Sequence, residues 1–520
     1  MVSWECICPR TTLGRGLYME FAKAESLSYV CANGRLPVAV TVGLNDSGST
    51  TTPLCVDLDG TLIYSDLLLE SLLLLIKSSP FSLFLIPFWL FRGRAVLKAE
   101  VAARVALNPA ALPYDNELIN WLQSERDTGR SLWLCTAANE RLASSIGAHV
   151  GLFDGVLASD GQWNLADDLK AARLVESFGE RCFDYCGNEQ GDLLVWKHAR
   201  VAIVVHGSDQ LEQRASRIAP VVRTFPPRGN TFWAAMRALR PHQWAKNALV
   251  LIPLLAAHRA AEPAAAAAAI LATIVFCLCA SSVYIVNDLL DLEADRSHAR
   301  KCKRPFAAGD LSILFGVMMA GGLLFAAALG AAFLPPEFQR ALLTYYLLTL
   351  GYSFVLRGIV LVDAIALAGL YTLRIIAGAV AVRVPLSFWM LLFSVFLFLS
   401  LAFAKRFAEL EGLRRQNRLR AAGRGYETAD LPSLQGLGSA SGYVSVLVLA
   451  LYINSPDIEA LYRRPKAIWL LCVLMLAWIS RVWMKAQRGE MHDDPVVFAL
   501  KDRVSLVLGL LGVVVVGLSI

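Results

Sequence analysis

From about residue 245 to residue 520, apolar runs of membrane-spanning length recur, separated by short polar loops. A hydrocarbon core of about 30 Å needs about 20 apolar residues per helix. Backbone polar groups at that depth must be satisfied within the segment, so this half is expected to be an all-α polytopic bundle. Nine spans are expected, at about 245–257, 264–286, 312–334, 340–356, 359–381, 386–404, 439–455, 467–483 and 504–520. The first is the weakest, being short and interrupted by Pro253. Residues 95–245 read instead as soluble α/β structure. A chain of 520 residues, 56% of them hydrophobic, therefore reads as a soluble head on a membrane body.

Loop charges support that count. Arg296, Arg300, Lys301, Lys303 and Arg304 follow the second span; Lys405, Arg406, Arg414, Arg415, Arg418, Arg420 and Arg424 follow the sixth. Arg481, Lys485, Arg488, Lys501 and Arg503 follow the eighth, and the alternate loops carry fewer cations. The positive-inside rule then places the head in the cytoplasm and the C-terminus outside. The net charge of +6 belongs to these loops, and no basic-aromatic platform suggests nucleic acid. The eleven cysteines form no paired CxxC framework and read as reduced, mostly buried residues. The N-terminus "MVSWECICPRTTLGRG" lacks a secretory pattern. The expected organisation is an N-terminal extension (1–48), an α/β domain (49–228) with an apolar insertion at about 63–105, and a transmembrane domain (229–520).

The chemistry concentrates at the end of the second span, in "YIVNDLLDLEADRSHARKCKRP". On a continuous helix Asp288, Asp291 and Asp295 share one face, with Glu293 off it. Carboxylates at a membrane edge are costly and mark function. Mg2+ offsets such a cost, because it binds oxygen ligands and is held by one or two carboxylates plus substrate phosphates. These residues point to a magnesium–diphosphate site.

"NDLLDLEAD" resembles the NDxxDxxxD signature of the UbiA superfamily of intramembrane prenyltransferases, over about residues 235–520. The resemblance implies a helical bundle that holds Mg2+ and a diphosphate on aspartates. "RPHQWAKN", "HARKCKRPFAAG" and "YSFVLRGIVLVDAIALAGLYTLRIIAGAVA" are similar to the decaprenyl-phosphate phosphoribosyltransferase branch. That branch implies transfer of 5-phosphoribosyl from phosphoribosyl diphosphate (PRPP) to a polyprenyl phosphate in a bacterial inner membrane. Lys246, Asn247, Asn287, His298, Lys301, Arg304, Arg357, Asp363, Arg374 and Lys405 are the candidate substrate-binding residues. Only Asp363 stands where a second acidic cluster is usual. The alternative is a prenyltransferase moving a polyprenyl group from a prenyl diphosphate to an aromatic or other small acceptor.

In the head, "LCVDLDGTL" puts Asp57 and Asp59 at the end of an apolar strand. This resembles the DxDGT signature of the haloacid-dehalogenase-like (HAD) phosphotransferases, over about residues 50–225. The resemblance implies Asp57 as nucleophile, Asp59 as acid/base, Thr136 and Lys170 as phosphate binders, and Asp57 with Asp192 as Mg2+ ligands. Asn188 stands where an aspartate is common. The fusion suggests that the head dephosphorylates the product of the body. The stretch "LLLESLLLLIKSSPFSLFLIPFWLFRGR" is expected to be a helical cap packed on the membrane or the body, because one span there would separate Asp57 from Thr136.

Overall fold

The computed structural model describes residues 52–160, 163–420, 424–455, 462, 464–491 and 495–519. The expected N-terminal extension, 1–48, lies outside the described residues. The head contains β1 (Leu54–Val56), α1 (Leu67–Ser78), α2 (Ile86–Phe91), α3 (Arg94–Arg104), α4 (Asn116–Asp127), β2 (Leu132–Asn139), α5 (Glu140–Val150) and β3 (Gly155–Ser159). Next come α6 (Asp167–Phe178), β4 (Asp184–Gly187), α7 (Asp192–Trp196), β5 (Ala202–Val205), α8 (Asp209–Ser216) and β6 (Val221–Phe225). The six strands form one parallel sheet in the order β3-β2-β1-β4-β5-β6. Every residue of β1, β4 and β5 is buried, as expected of strands covered by helices on both faces. β1 has β2 on one side and β4 on the other, so the strand order reverses there. Ligand crevices form at the carboxyl ends of the strands at such a switch point, which is where Asp57 stands.

The apolar insertion is helical, as expected, and none of its described helices is long and apolar enough to cross a membrane. Asp66 caps α1 by accepting from the Leu69 amide at 2.9 Å. Pro80 then starts a short 3-10 turn, Pro80–Phe84, before α2. Trp89 packs into a small core with Leu75, Leu97 and Val101. Phe81, Phe84, Phe88 and Phe91 are left exposed. Leu69 and Leu73 of α1 pack instead on the body, against Ile285, Leu289 and Leu292.

The body begins with α9 (Thr231–Ala238), a 3-10 stretch (Pro241–Leu251) and α10 (Ile252–Ala256). It continues with α11 (Pro263–Leu290), α12 (Leu292–Arg296), α13 (Pro305–Ala308), α14 (Ile313–Ala331) and α15 (Pro336–Phe354). Then follow α16 (Val362–Ala381), α17 (Phe388–Arg415), α18 (Leu431–Ile453) and helices at Leu470–Gln487, Pro495–Lys501 and Arg503–Ser519. Among the described residues, six helices are long and apolar enough to cross a membrane: Pro263–Leu290, Ile313–Ala331, Val362–Ala381, Phe388–Arg415, Thr428–Ile453 and Lys466–Gln487. The expected first span does not form such a helix. Residues 241–251 wind as 3-10, and Pro253, which has no amide hydrogen to donate, starts a helix of only five residues. The expected fourth span is a 19-residue helix with Glu337, Gln339 and Arg340 in its first turns. The expected ninth is an apolar helix of 17 residues.

Candidate active sites

The body site forms where α11 ends. Asp291 stands at the α11–α12 junction with φ −103° and ψ 16°. The helical hydrogen bonds nearly continue through it: the Asp291 amide donates to Asn287 O at 3.0 Å and the Asp295 amide to Asp291 O at 2.8 Å. Even so, the three carboxylates reach different sets of partners. Asp288 and Asp295 converge on Arg304, whose Nη1 lies 3.0 Å from Asp288 Oδ1 and 2.5 Å from Asp295 Oδ2. Arg240 also pairs with Asp288, and Lys301 Nζ is 3.8 Å from Asp295 Oδ1. Asp291 turns elsewhere. Its Oδ1 lies 2.9 Å from Lys77 Nζ of the head, and its Oδ2 lies 2.9 Å from Arg357 Nη1.

Asp288 and Asp295 are buried, and Asp288 Oδ2 has no hydrogen-bond partner. A buried carboxylate oxygen left unpaired is costly, and a bound cation would satisfy it. Among the described residues no three His, Cys, Asp or Glu side chains form a complete metal cage. The donor set fits a hard ion that completes its shell with phosphate oxygens, the usual habit of Mg2+.

The other predicted body residues fall into three places. Asn287 is half-buried beside the acids. His298 is exposed, and its Nδ1 accepts from the amides of Arg300 and Lys301 at 3.1 and 3.4 Å, shaping the turn that carries the cations. Deeper in the bundle, Arg374 donates to Asn247 Oδ1 and to Tyr345 OH, both at 2.9 Å. Lys246 is buried with its ammonium 5.9 Å from the Tyr371 ring centre. Asp363 is fully buried in a separate network, accepting from Arg406 Nε and from Tyr426 OH, both at 2.5 Å. Arg406 also donates to Tyr352 OH at 2.8 Å, and Lys405 beside it is half-buried. Sequence reasoning missed Arg240 and Lys77 as members of the acidic site.

The head site is more compact. The Asp57 amide donates to Cys186 O at 3.0 Å, fixing the end of β1 to β4. Gly60 has φ +72°, and a Cβ there would lie 2.1 Å from Asn188 Nδ2, so only glycine fits the turn. Asp59 Oδ1 accepts from the Leu67 amide at 2.7 Å. Lys170 Nζ donates to Asp57 Oδ1 and to Tyr185 OH, both at 2.9 Å. Both oxygens of Asp192 are engaged: Oδ1 accepts from Tyr185 OH at 3.0 Å, and Oδ2 from the Asn188 and Glu189 amides at 2.8 and 3.0 Å. Asp192 thus anchors the loop of Asn188 and Glu189 here, beside Asp57, with which the resemblance pairs it as a Mg2+ ligand. Asn188 accepts from Thr61 Oγ1 at 3.1 Å. Thr136 is buried on β2 and accepts from the Ala138 amide at 3.0 Å.

Burial raises Asp57 to about 6, against the pull of Lys170. Burial, reinforced by Asp66 and Asp57, raises Asp59 to about 8. The two aspartates are thereby held in different protonation states near neutrality, the pattern of a carboxylate beside a carboxylic acid. Burial opposes the charge on Lys170, but Asp57 and Asp192 outweigh it and hold the ammonium above its ordinary value. Lys98, which sequence reasoning also missed, reaches Asn164 Oδ1 at 2.7 Å from α3 and lines the same cavity. That cavity has a volume of about 670 Å3. Its walls include Asp57, Asp59 and Lys170, Leu90 and Leu97 of the insertion, and Ser312, Ile313 and Leu314 of the body.

Comparison with known proteins places the body. The UbiA prenyltransferase family matches residues 248–501. The chain is 37% identical over 463 residues to an uncharacterised protein, y4nM, of Sinorhizobium fredii, covering 88% of this chain and 89% of that one. It is 37% identical to the nodulation protein NoeC of Azorhizobium caulinodans, covering 54% of this chain and 92% of that one. It is 32% identical over 302 residues to the decaprenyl-phosphate phosphoribosyltransferase of Mycolicibacterium smegmatis, covering 57% of this chain and 94% of that one. The acidic turn at the end of α11 and these matches agree: the chain belongs to the UbiA prenyltransferase family.

Proposed function

We propose that the body transfers 5-phosphoribosyl from PRPP to a polyprenyl phosphate, with the head and the cation-rich loops on the cytoplasmic side. The observation that carries this reading is the excess of positive charge around the acids. Lys77, Arg240, Lys301, Arg304 and Arg357 surround Asp288, Asp291 and Asp295, five cations to three carboxylates. Such a site is preorganised for a polyanion that carries more charge than a carboxylate-held metal ion alone can neutralise. Similarity to proteins named decaprenyl-phosphate phosphoribosyltransferase supports the choice of donor.

Asp288 and Asp295 would hold Mg2+, which would neutralise the diphosphate as its bond to the anomeric carbon breaks. Arg304 and Arg240 suit the departing phosphate oxygens through their planar forks. The anomeric centre passes through an oxocarbenium-like state. The lipid phosphate is already anionic, so it attacks without a strong base, and the site's work is orientation and charge stabilisation. Membranes carrying the protein, given Mg2+ and either labelled PRPP or labelled prenyl diphosphate, discriminate the readings. Lipid-phase label from PRPP supports this one; label from prenyl diphosphate alone overturns it.

The head is proposed to be a HAD-type phosphatase that removes the 5-phosphate from the lipid product. Support comes from the cavity, which joins Asp57 and Asp59 to apolar walls of the insertion and to the start of α14. Asp57 attacks phosphorus, Asp59 gives its proton to the departing alcohol oxygen, and water then hydrolyses the aspartyl-phosphate. If Asp57→Asn leaves the product profile unchanged, the head has another role.

A further inference from the structure

Lys77 is, with Glu70, one of the two charged residues of α1, and the docking of the head rests on other contacts. α1 is held to the body by Leu69 and Leu73 and by a buried ion pair. In that pair Glu70 accepts from Arg296 at 2.5 and 3.0 Å, and Arg296 is the neighbour of Asp295. Lys77 lies seven residues after Glu70, on the same helical face, at the end of α1 nearest Asp291. Its side chain is 39% exposed, and an ion pair that open to water adds little to stability. Asp291 already has Arg357 on its other oxygen, so Lys77 is a second cation on one carboxylate.

We propose that Lys77 is a donor-binding residue of the transferase site, supplied by the head. When a magnesium–diphosphate group reaches Asp291, the ammonium passes from the carboxylate to a diphosphate oxygen. The flexible four-carbon stem of lysine permits that shift without moving the helix. The head thereby completes the diphosphate site of the body, and the insertion has a role in the transferase as well as in the head. The phosphoribosyltransferase of M. smegmatis matches over 302 residues that span 94% of its length, so it is too short to hold both units. This chain therefore has access to a cation that such a protein must replace or do without.

The inference rests on the reading that the acidic turn receives a diphosphate, and one experiment separates the two. Full-length protein in detergent with Mg2+ is titrated with inorganic diphosphate by calorimetry, in an Asp57→Asn background that silences the head. Loss of one charge-assisted hydrogen bond predicts about tenfold weaker binding for Lys77→Met, with Lys77→Arg restoring most of it and both variants melting at the parent temperature. Unchanged binding by Lys77→Met overturns the inference alone. So does weaker binding that tracks a lower melting temperature and is not rescued by arginine. A parent protein that binds no diphosphate overturns the underlying reading, and the inference with it.

Discussion

The head and the body each build a site on aspartates, yet they balance charge in opposite directions. In the head Asp57, Asp59, Asp66, Asp167 and Glu189 line a cavity with Arg94, Lys98 and Lys170, leaving an excess of acid. In the body five cations surround three aspartates. An acid-rich cavity suits a phosphate monoester arriving with a metal ion. A cation-rich one suits a diphosphate that carries more charge than its metal removes. The scaffolds differ as well. The head site grows from adjacent ends of a parallel sheet, where backbone hydrogen bonds fix each side chain. The body site is drawn from the head, the start of the bundle, the α11–α12 turn, the following loop and the 3-10 turn after α15.

That contrast can be broken most sharply by silencing one site at a time. Asp288→Asn is expected to lower lipid-phase transfer by about a thousandfold or more, since it removes the buried carboxylate at the centre of the cluster. It should leave phosphate release from a supplied lipid-linked phosphoribose intact. Asp57→Asn should do the reverse. Loss of both activities in either variant would mean that the sites are not separate.

A stability experiment comes next in size. Arg406→Met removes the guanidinium that pairs with the fully buried Asp363 and leaves it Tyr426, a loss of about 3–5 kcal/mol. A fall in thermal midpoint with the diphosphate affinity of the surviving folded protein unchanged would confirm that this pair is structural. A selective loss of diphosphate affinity would instead join it to the site.

A smaller effect concerns pH. Phosphate release by the head should fall above about 8, as Asp59 loses the proton it must donate, and below about 6, as Asp57 gains a proton and ceases to attack. Transfer by the body, which relies on guanidinium and ammonium groups, should be flatter across the same window. Rate profiles for the two steps test this directly, and a flat profile for the head would remove Asp59 from the acid role.

Much of both sites was legible where the chemistry is local in sequence. Asp57, Asp59 and Gly60 are contiguous with a buried strand, and Asp288, Asp291 and Asp295 follow an apolar run. Their partners were harder to read because the fold, not the spacing, brings them together. Arg240 is 48 residues from Asp288, and Lys77 is 214 residues from Asp291. In the sequence Lys77 merely divides an apolar stretch. Asp363 reads as a substrate-binding residue because it stands where the family's second acidic cluster is usual. Its pairing with Arg406, 43 residues away, becomes visible only when α16 and α17 pack. The first expected span is not one long α-helix for a local reason, since residues 241–251 wind as 3-10 and Pro253 stands in a helix of only five residues.

The central claim is that the cation-rich turn handles the diphosphate of PRPP. Membranes containing the protein, supplied with Mg2+, polyprenyl phosphate and PRPP labelled in the ribose, should move label into the lipid phase, and Asp288→Asn membranes should not. Label entering lipid only from a prenyl diphosphate, or entering equally with Asp288→Asn, would contradict it.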